Sequence, residues 1–559
     1  MQTNFFTSIK MSQKNCCKPA VRVDFFLLLF ILGICASVII LTYLTMNLLP
    51  KLRQTKDQNY YRAAVLEAIP YSDPSISIKA VVEKNLETYQ LAANIAGGNE
   101  VDIIVFPEDI LFFDSDDYTE HRSALIGSIA SDIPDPTYGN YNPCDQKDVF
   151  KNHFLLRNLS CMAKSNNLYI VANLVDYKMC KNGGGKDRNA TLNCSDKSEC
   201  PSDGIYLYNT NVVFNRAGKL IARYYKKHLY FEPSMNPSKC PYNGFFDTDF
   251  GNFTTIVCFD MLFKEALEDI EQLNVNNLAY PYFWYDHTPI HQFATVVQQY
   301  YAYSNRINVL AANGHVPGTG SLGSGIYSGH SGALISTHQP DGHSRLLISD
   351  VPKQPKSLKV NAGDLNRKRF KMVNGTFVVD NVEDDIVLED QCEIDVVGPP
   401  KDESKDYRCN SMNLTDYKFQ RLNKTEGKID LCVNTFCCSV TYKARSMNEE
   451  YFIAVQASDF DAYKIVHYSN QICFLARCKS ENGKDCSSFY MKSETVFEEV
   501  KLMGTFFNKY MYPFSIDANI RLTSKDKWSY DGNVQMNYQN KDNSSLLFFG
   551  IYGRDYPDS

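Results

Sequence analysis

The chain has 559 residues, of which 44% are hydrophobic, 22% charged and 13% aromatic. That is long enough for more than one domain at roughly 150 residues each, and too apolar to stay unfolded. A formal charge of −7 lacks the basic surplus of a nucleic-acid binder, and 18 cysteines are too sparse for a small disulfide scaffold yet many for a cytosolic enzyme.

Residues 1–24 read as a cytoplasmic segment, and residues 25–49 as a membrane span. The run "FFLLLFILGICASVIILTYLTMNLL" is uncharged and exceeds the roughly 20 residues a bilayer needs. Lys10, Lys14, Lys18 and Arg22 precede it, and Pro50, Lys51, Arg53 and Lys56 follow, a slight bias to the inside. A signal anchor with the bulk of the chain outside is expected. The alternative is a cleaved signal and a secreted protein. Cys16 and Cys17 beside the span are either palmitoylation sites or idle thiols.

Two features support the outside reading. Eight sequons, at Asn158, Asn189, Asn193, Asn252, Asn374, Asn413, Asn423 and Asn543, all follow the span. Fifteen cysteines also lie beyond it, an odd number that suggests one reserved thiol.

From about residue 60 to 350, short apolar runs alternate with longer mixed segments. The runs "VDIIVFPED", "LYIVANLV", "IYLYNTNVVFN", "TTIVCFDMLF", "NNLAYPYFW" and "INVLAANG" read as buried strands. Residues 83–98 and 289–306 read as helices, the first stopped by a glycine pair. This alternation predicts an α/β fold with a covered sheet. An insert at 178–202, rich in glycine and cysteine, reads as a disulfide-tied loop. Residues 351–430 break the pattern and read as a linker or irregular segment. Residues 431–559 hold short β-like runs between turns and predict a smaller β-rich domain. There is no Walker-A loop, no G-x-G-x-x-G after a strand, no H-E-x-x-H and no zinc-type cysteine pair. No metal and no cofactor is expected.

Three strand ends carry residues that could do chemistry. Glu108 follows "DIIVFP", at the sheet edge where α/β proteins place their sites; its plainer role is a loop carboxylate capping a helix. Lys226 and Lys227 follow "GKLIARYY", where a solvated strand end is the plainer reading. Cys258 ends "TTIVC", where a structural cysteine or half of a disulfide is the plainer one.

Taken together, Glu, Lys and Cys in that order, within "FPED", "RYYKKHL" and "IVCFDMLF", resemble the nitrilase (carbon–nitrogen hydrolase) superfamily. The longer segments "GKLIARYYKKHLY", "FGNFTTIVCFDMLF", "AYPYFW", "NVLAANGH" and "LGSGIYSG" are similar to its vanin and biotinidase family. So are "DLCVNTFCCSVTY", "QICFLARCKS" and "KLMGTFF" near the C-terminus, and the resemblance covers roughly residues 60–552.

The resemblance implies a nitrilase-type αββα four-layer sandwich followed by the β-rich domain. It also implies a triad of Glu108 as base, Lys226, and Cys258 as nucleophile. Lys226 is preferred to Lys227 because "RYYK" matches the family's Arg-Tyr-His-Lys. Trp284, Asn313 and His315 fall near the family's substrate pocket, and Tyr327 in "GSGIY" leans toward the vanins. Glu232 is the nearest match to an accessory glutamate, out of register by about one residue. The chain stops at "GRDYPDS" without the apolar tail common in vanins, so the N-terminal span is expected to serve as anchor.

The implied reaction is hydrolysis of a small linear amide through a Cys258 thioester, without cofactor. Pantetheine is the expected substrate and biotin amides the alternative; a catalytically silent surface-binding protein on the same fold is the third reading. Setting Cys258 aside leaves fourteen cysteines, enough for seven bridges. A lysine beside Cys258 leads to the expectation of a low-pKa, readily alkylated thiol. Oligomeric state is not legible.

Overall fold

A computed structural model describes residues 57–112, 121–179, 200–238, 243–286, 289–381, 396–397, 410–462, 466–486 and 493–557. The run 25–49, Cys16, Cys17, Asn189, Asn193 and most of the 178–202 insert lie outside these residues. No described helix is long and apolar enough to cross a membrane. Asn59–Ser559 form one unit of the chain, which holds all the elements described below.

Two sheets form its first part. The strands are β1 (Tyr60–Glu67), β2 (Ile103–Val105), β3 (Tyr169–Met179), β4 (Ile205–Phe214), β5 (Leu220–Tyr225), β6 (Phe246–Thr248) and β7 (Gly251–Thr255). They continue as β8 (Asn277–Tyr282), β9 (Asn308–Asn313), β10 (Ser324–Ser328), β11 (Gly332–Thr337), β12 (Arg345–Pro352), β13 (Arg367–Val373) and β14 (Thr376–Asp380). One sheet has the order β14-β13-β12-β1-β2-β3-β4-β5 and the other β11-β10-β9-β8-β7-β6. The first sheet thus continues past residue 350, through β13 and β14.

Strand periodicity explains the layering. In β1, Ala63 and Val65 point to one face and Ala64 and Leu66 to the other, and all are buried. Ala63 and Val65 meet Ala279, Leu310 and Ile326 of the second sheet, forming the sheet-on-sheet core. Ala64 and Leu66 pack under the helices Ile78–Gly98 and Phe154–Asn166. The outer face of the second sheet is covered by the helices Lys264–Leu273 and Ala294–Asn305. The layers are therefore helix, sheet, sheet, helix, the αββα sandwich anticipated above. The helix Ile78–Gly98 begins earlier than its apolar pattern because the Ser77 hydroxyl accepts from the Ala80 N–H and caps it.

Two further segments depart from the sequence reading, besides the strands β13 and β14 found within 351–430. "TTIVCFDMLF" is strand only to Thr255; Cys258–Leu262 is a 3-10 turn, held by Asp260, whose carboxylate accepts the Val257 N–H at 3.1 Å. The segment 289–306 is a 3-10 turn, Ile290–Gln292, and then a helix that starts at Ala294, where Asp286 accepts the Ala294 N–H at 2.6 Å.

The C-terminal part is a β-sandwich. Six strands run in the order Lys418–Arg421, Glu450–Ala462, Val466–Cys478, Leu546–Asp555, Tyr510–Asp517, Arg521–Leu522. Five more run in the order Glu426–Val433, Phe436–Ala444, Phe497–Gly504, Gln535–Gln539, Trp528–Tyr530. Tyr451, Ile453 and Val455 face the five-stranded sheet, while Phe452 and Ala454 face the other way, into the core that also holds the helix Ala294–Asn305. One face of this sandwich therefore packs on the αββα part.

Disulfides join Cys144–Cys161, Cys432–Cys437, Cys438–Cys473 and Cys478–Cys486, and Cys200 is also paired. Among the described residues the free cysteine is Cys258.

Candidate active site

Parallel pairing of β1, β2 and β3, and of β7, β8 and β9, directs their C-terminal ends to one edge of each sheet. Glu108 leaves β2 at such an edge, Cys258 follows β7 and Phe283 follows β8. Two antiparallel steps from β3 return β5 to the same sense, so Lys226 emerges there too.

These residues meet in a buried polar cluster. Lys226 Nζ donates to Glu108 Oε1 at 2.7 Å and to Glu232 Oε1 at 2.5 Å. Asn209 Nδ2 donates to Glu108 Oε1 at 2.7 Å and to Glu232 Oε2 at 2.9 Å. The backbone of Phe283 links the carboxylate to the thiol: its N–H donates to Glu108 Oε2 at 3.0 Å, and its carbonyl accepts from Cys258 Sγ at 3.5 Å. Glu108 and Lys226 are 1% and 2% exposed, so a charge here is sustained only by its partners.

Asp260 ties the Cys258 turn to the lysine. Its Oδ1 accepts the backbone N–H groups of Lys227 and His228, and its Oδ2 accepts the Tyr224 hydroxyl at 2.9 Å. Lys227 itself points away and pairs with Asp269 at 3.2 Å. The geometry therefore separates the two lysines. Cys258 has φ 43°, in the left-handed region that L-residues with side chains seldom occupy, and Tyr280 donates to its carbonyl at 2.7 Å.

The electrostatics correct one expectation. Burial, and then the Glu108 charge, push the Cys258 thiol well above its usual range, although Lys226 opposes them. The resting thiol is protonated rather than a ready thiolate. Burial and the Glu232 charge raise Glu108 against the pull of Lys226. For Lys226, burial favours the neutral amine, but Glu108 and Glu232 outweigh it and hold the ammonium well above its ordinary range. The arrangement suits a base that takes the thiol proton during attack, rather than a thiolate formed beforehand.

The remaining sequence candidates divide. Glu232, out of register in the motif comparison, is brought into the cluster. Phe231 at φ 49° turns the chain, and the Tyr230 N–H donates to Glu232 Oε1. Trp284 follows Phe283; its backbone N–H donates to Asn313 Oδ1 at 2.9 Å and its indole N–H to the Gln292 carbonyl at 3.0 Å. Asn313 is fully buried and also donates to the Leu322 carbonyl. His315 and Tyr327 group instead around Glu67, with His315 Nδ1 at 3.8 Å from its carboxylate. Burial lowers His315 to about 4, so it is neutral. A Cβ at Gly314 would stand 2.1 Å from the Phe283 ring, so the "NGH" segment supports Phe283 from behind. Asn209 and the Phe283 peptide are members that sequence reasoning missed. An asparagine within the apolar run "IYLYNTNVVF" was the available signal for the first. Among the described residues no group of three His, Cys, Asp or Glu side chains could hold a metal.

The αββα sandwich, with a carboxylate, an ammonium and a thiol gathered where strand ends of its two sheets meet, defines a class of hydrolase. Comparison with known families agrees. The carbon–nitrogen hydrolase family matches residues 73–338, and the vanin C-terminal domain matches residues 407–559. Pantetheinase of Homo sapiens is 30% identical over 440 residues, covering 78% of this chain and 76% of that protein. Biotinidase of Takifugu rubripes is 30% identical over 526 residues, covering 91% and 96%. Symplectin of Sthenoteuthis oualaniensis is 31% identical over 443 residues, covering 77% and 76%. The chain belongs to the vanin and biotinidase family of the carbon–nitrogen hydrolases, and is an enzyme acting on carbon–nitrogen bonds.

Proposed function

We propose that the chain hydrolyses pantetheine to pantothenate and cysteamine through a thioester on Cys258. The observation that carries this reading is the Phe283 peptide, which joins Glu108 to Cys258 while Lys226 grips the same carboxylate. The thiol sulfur attacks the amide carbon as its proton passes to Glu108. Lys226 has three N–H groups. Two hold Glu108 and Glu232, and the third meets the oxyanion of the tetrahedral intermediate. Protonated Glu108 then gives its proton to the departing amine as the carbon–nitrogen bond breaks. Glu108 next takes a proton from water, whose oxygen attacks the thioester. The acid leaves and the sulfur regains a proton. Glu232 and Asn209 orient Lys226 and Glu108. Trp284 contacts the acyl group, with Asn313 fixing it and His315 and Tyr327 supporting the wall behind.

Relatives named pantetheinase support the substrate; the longer match to a biotinidase favours a second reading, biotin-amide hydrolysis. A side-by-side assay of pantetheine and biocytin on the purified protein decides between them. Faster cleavage of pantetheine is expected, and markedly faster cleavage of biocytin would overturn the choice.

The disulfides, the odd free thiol and the sequons support a catalytic part outside the cell, and the run 25–49 supports a membrane anchor. Of the sequons, Asn158, Asn374, Asn423 and Asn543 are exposed, and Asn252 and Asn413 are half-buried. N-terminal sequencing of the mature protein tests the anchor. A start beyond Leu49 would mean a secreted enzyme.

A further inference from the structure

The turn that carries Cys258 is held at both ends, and one of the two holds comes from the C-terminal sandwich. At its start, Asp260 accepts the Val257 N–H and Tyr280 donates to the Cys258 carbonyl. At its end, the Leu262 carbonyl accepts the Tyr556 hydroxyl at 2.8 Å and Arg554 Nη1 at 3.3 Å. Arg554 Nη1 also donates to the Tyr556 hydroxyl at 3.0 Å, closing a three-membered set. Arg554 lies in the strand Leu546–Asp555, which is paired on both sides, to Val466–Cys478 and to Tyr510–Asp517. Arg554 is therefore held in a strand paired on both sides, and Tyr556 follows one residue beyond its end.

Arg554 is an unusual residue for this place. It is 2% exposed, and among the described residues no carboxylate pairs with it. Its charge rests instead on tyrosine rings, with Tyr468, Tyr512, Tyr552 and Tyr556 at 4.7 to 5.9 Å from the guanidinium carbon. A buried arginine without an acid is an expensive way to fill space, so its bond to the nucleophile turn calls for a reason. Cys258, Phe259, Met261 and Leu262 belong to the same apolar core as Tyr468, Tyr512 and Tyr552. The strained φ of Cys258 supplies the reason. A non-glycine residue in the left-handed region persists only where its surroundings over-determine it.

We infer that Tyr556 and Arg554 are positioning residues, by which the C-terminal sandwich fixes the Cys258 turn in its reactive conformation. This rests on the reading of Cys258 as nucleophile. The vanin-type domain then contributes to catalysis through the backbone of the Cys258 turn. Loosening the Leu262 carbonyl lets the turn relax toward ordinary φ and swings the thiol away from Glu108. Binding of the substrate is unaffected, so the loss falls on kcat and not on KM.

The test is Tyr556→Phe, which removes one hydroxyl and little else, with Arg554→Lys as the conservative partner. Tyr451→Phe is the control: it lies in the same sandwich, and its hydroxyl donates to the Leu546 carbonyl at 2.7 Å and not to Leu262. Tyr556→Phe is expected to lower kcat and the rate of Cys258 alkylation by iodoacetamide together, about three- to tenfold, the share of one neutral hydrogen bond, with KM unchanged. Arg554→Lys retains a cation but loses the fork, and is expected to lower kcat at least as far. Tyr451→Phe, which also loses a hydrogen-bonded hydroxyl, is expected to match Tyr556→Phe in unfolding midpoint while keeping wild-type kcat. If Tyr556→Phe and Tyr451→Phe have the same kcat while Cys258→Ser is inactive, the positioning role is wrong and the nucleophile stands. If Cys258→Ser is active, the parent reading falls first.

Discussion

Glu232 offers the sharpest test of the cluster's electrostatics, through the substitution Glu232→Gln. Glu232 and Glu108 grip the same Lys226 Nζ at 2.5 and 2.7 Å and the same Asn209 Nδ2 at 2.9 and 2.7 Å. Two carboxylates so held have oxygens at most about 5 Å apart, where like charges repel by about 3 kcal/mol at an effective dielectric near 20. Glu232 is one of the causes that raise Glu108, after burial, and Lys226 opposes both. Removing the Glu232 charge therefore lowers the Glu108 pKa, and frees Lys226 to lower it further. The acid limb of kcat/KM reports the ionisation of the essential base in the free enzyme. It should move to lower pH by about one unit and at most about two, since one unit corresponds to about 1.4 kcal/mol. kcat should fall about tenfold as Lys226 loses an orienting partner, the effect of one charged hydrogen bond. The assay is a pH series of initial rates for both proteins. An acid limb that stays fixed, or moves up, refutes the assignment of Glu108 as the base and of Glu232 as its repelling neighbour.

Lys226→Met should lose at least a hundredfold in kcat, whereas Lys227→Ala, which breaks only a partly exposed pair with Asp269, should lose less than threefold; equal losses would reverse the choice of lysine. Glu67 is wholly buried, and burial raises it to about 7 from an ordinary 4.5. The native state then holds the proton more tightly than the unfolded chain, so this stabilisation is complete below pH 4.5 and is lost as pH rises through 7, by on the order of 3 kcal/mol. Glu67→Gln should flatten that decline in urea unfolding between pH 5 and 8, and an unchanged slope would discount it. Gly314→Ala places a methyl group 2.1 Å from the Phe283 ring and should cost about 1–3 kcal/mol of stability together with most activity, read by thermal unfolding and initial rates.

Three members of the candidate site stood out because ionisable residues end apolar strands. Glu108, Lys226 and Cys258 each end a run that periodicity marks as buried, and the resemblance paired them. Glu232 was harder to read, because its reach to Lys226 depends on a reversal at Phe231, φ 49°, that spacing alone does not show. Asn209 is visible as a polar residue in an apolar strand, but nothing in β4 says which face it takes. The Phe283 peptide left no trace at all, since its function resides in backbone atoms common to every residue. In the fold, the strands β2, β3, β4, β7, β8 and β9 followed from buried apolar runs. The strands β13 and β14 did not, because "RKRFKMV" carries the basic residues typical of a strand near a sheet edge. The low-pKa thiol was expected from a neighbouring lysine in a site open to substrate. In the folded site the desolvation of sulfur and the adjacent Glu108 charge outweigh that lysine.

A covalent bond to Cys258 is the step on which every other step of the mechanism depends. Rapid acid quench of the enzyme during turnover of pantetheine, followed by peptide mass spectrometry, should find a pantothenoyl thioester on the peptide containing Cys258. The adduct should be absent from Cys258→Ser. An acyl group on another residue, or Cys258 recovered in a disulfide, would contradict the mechanism.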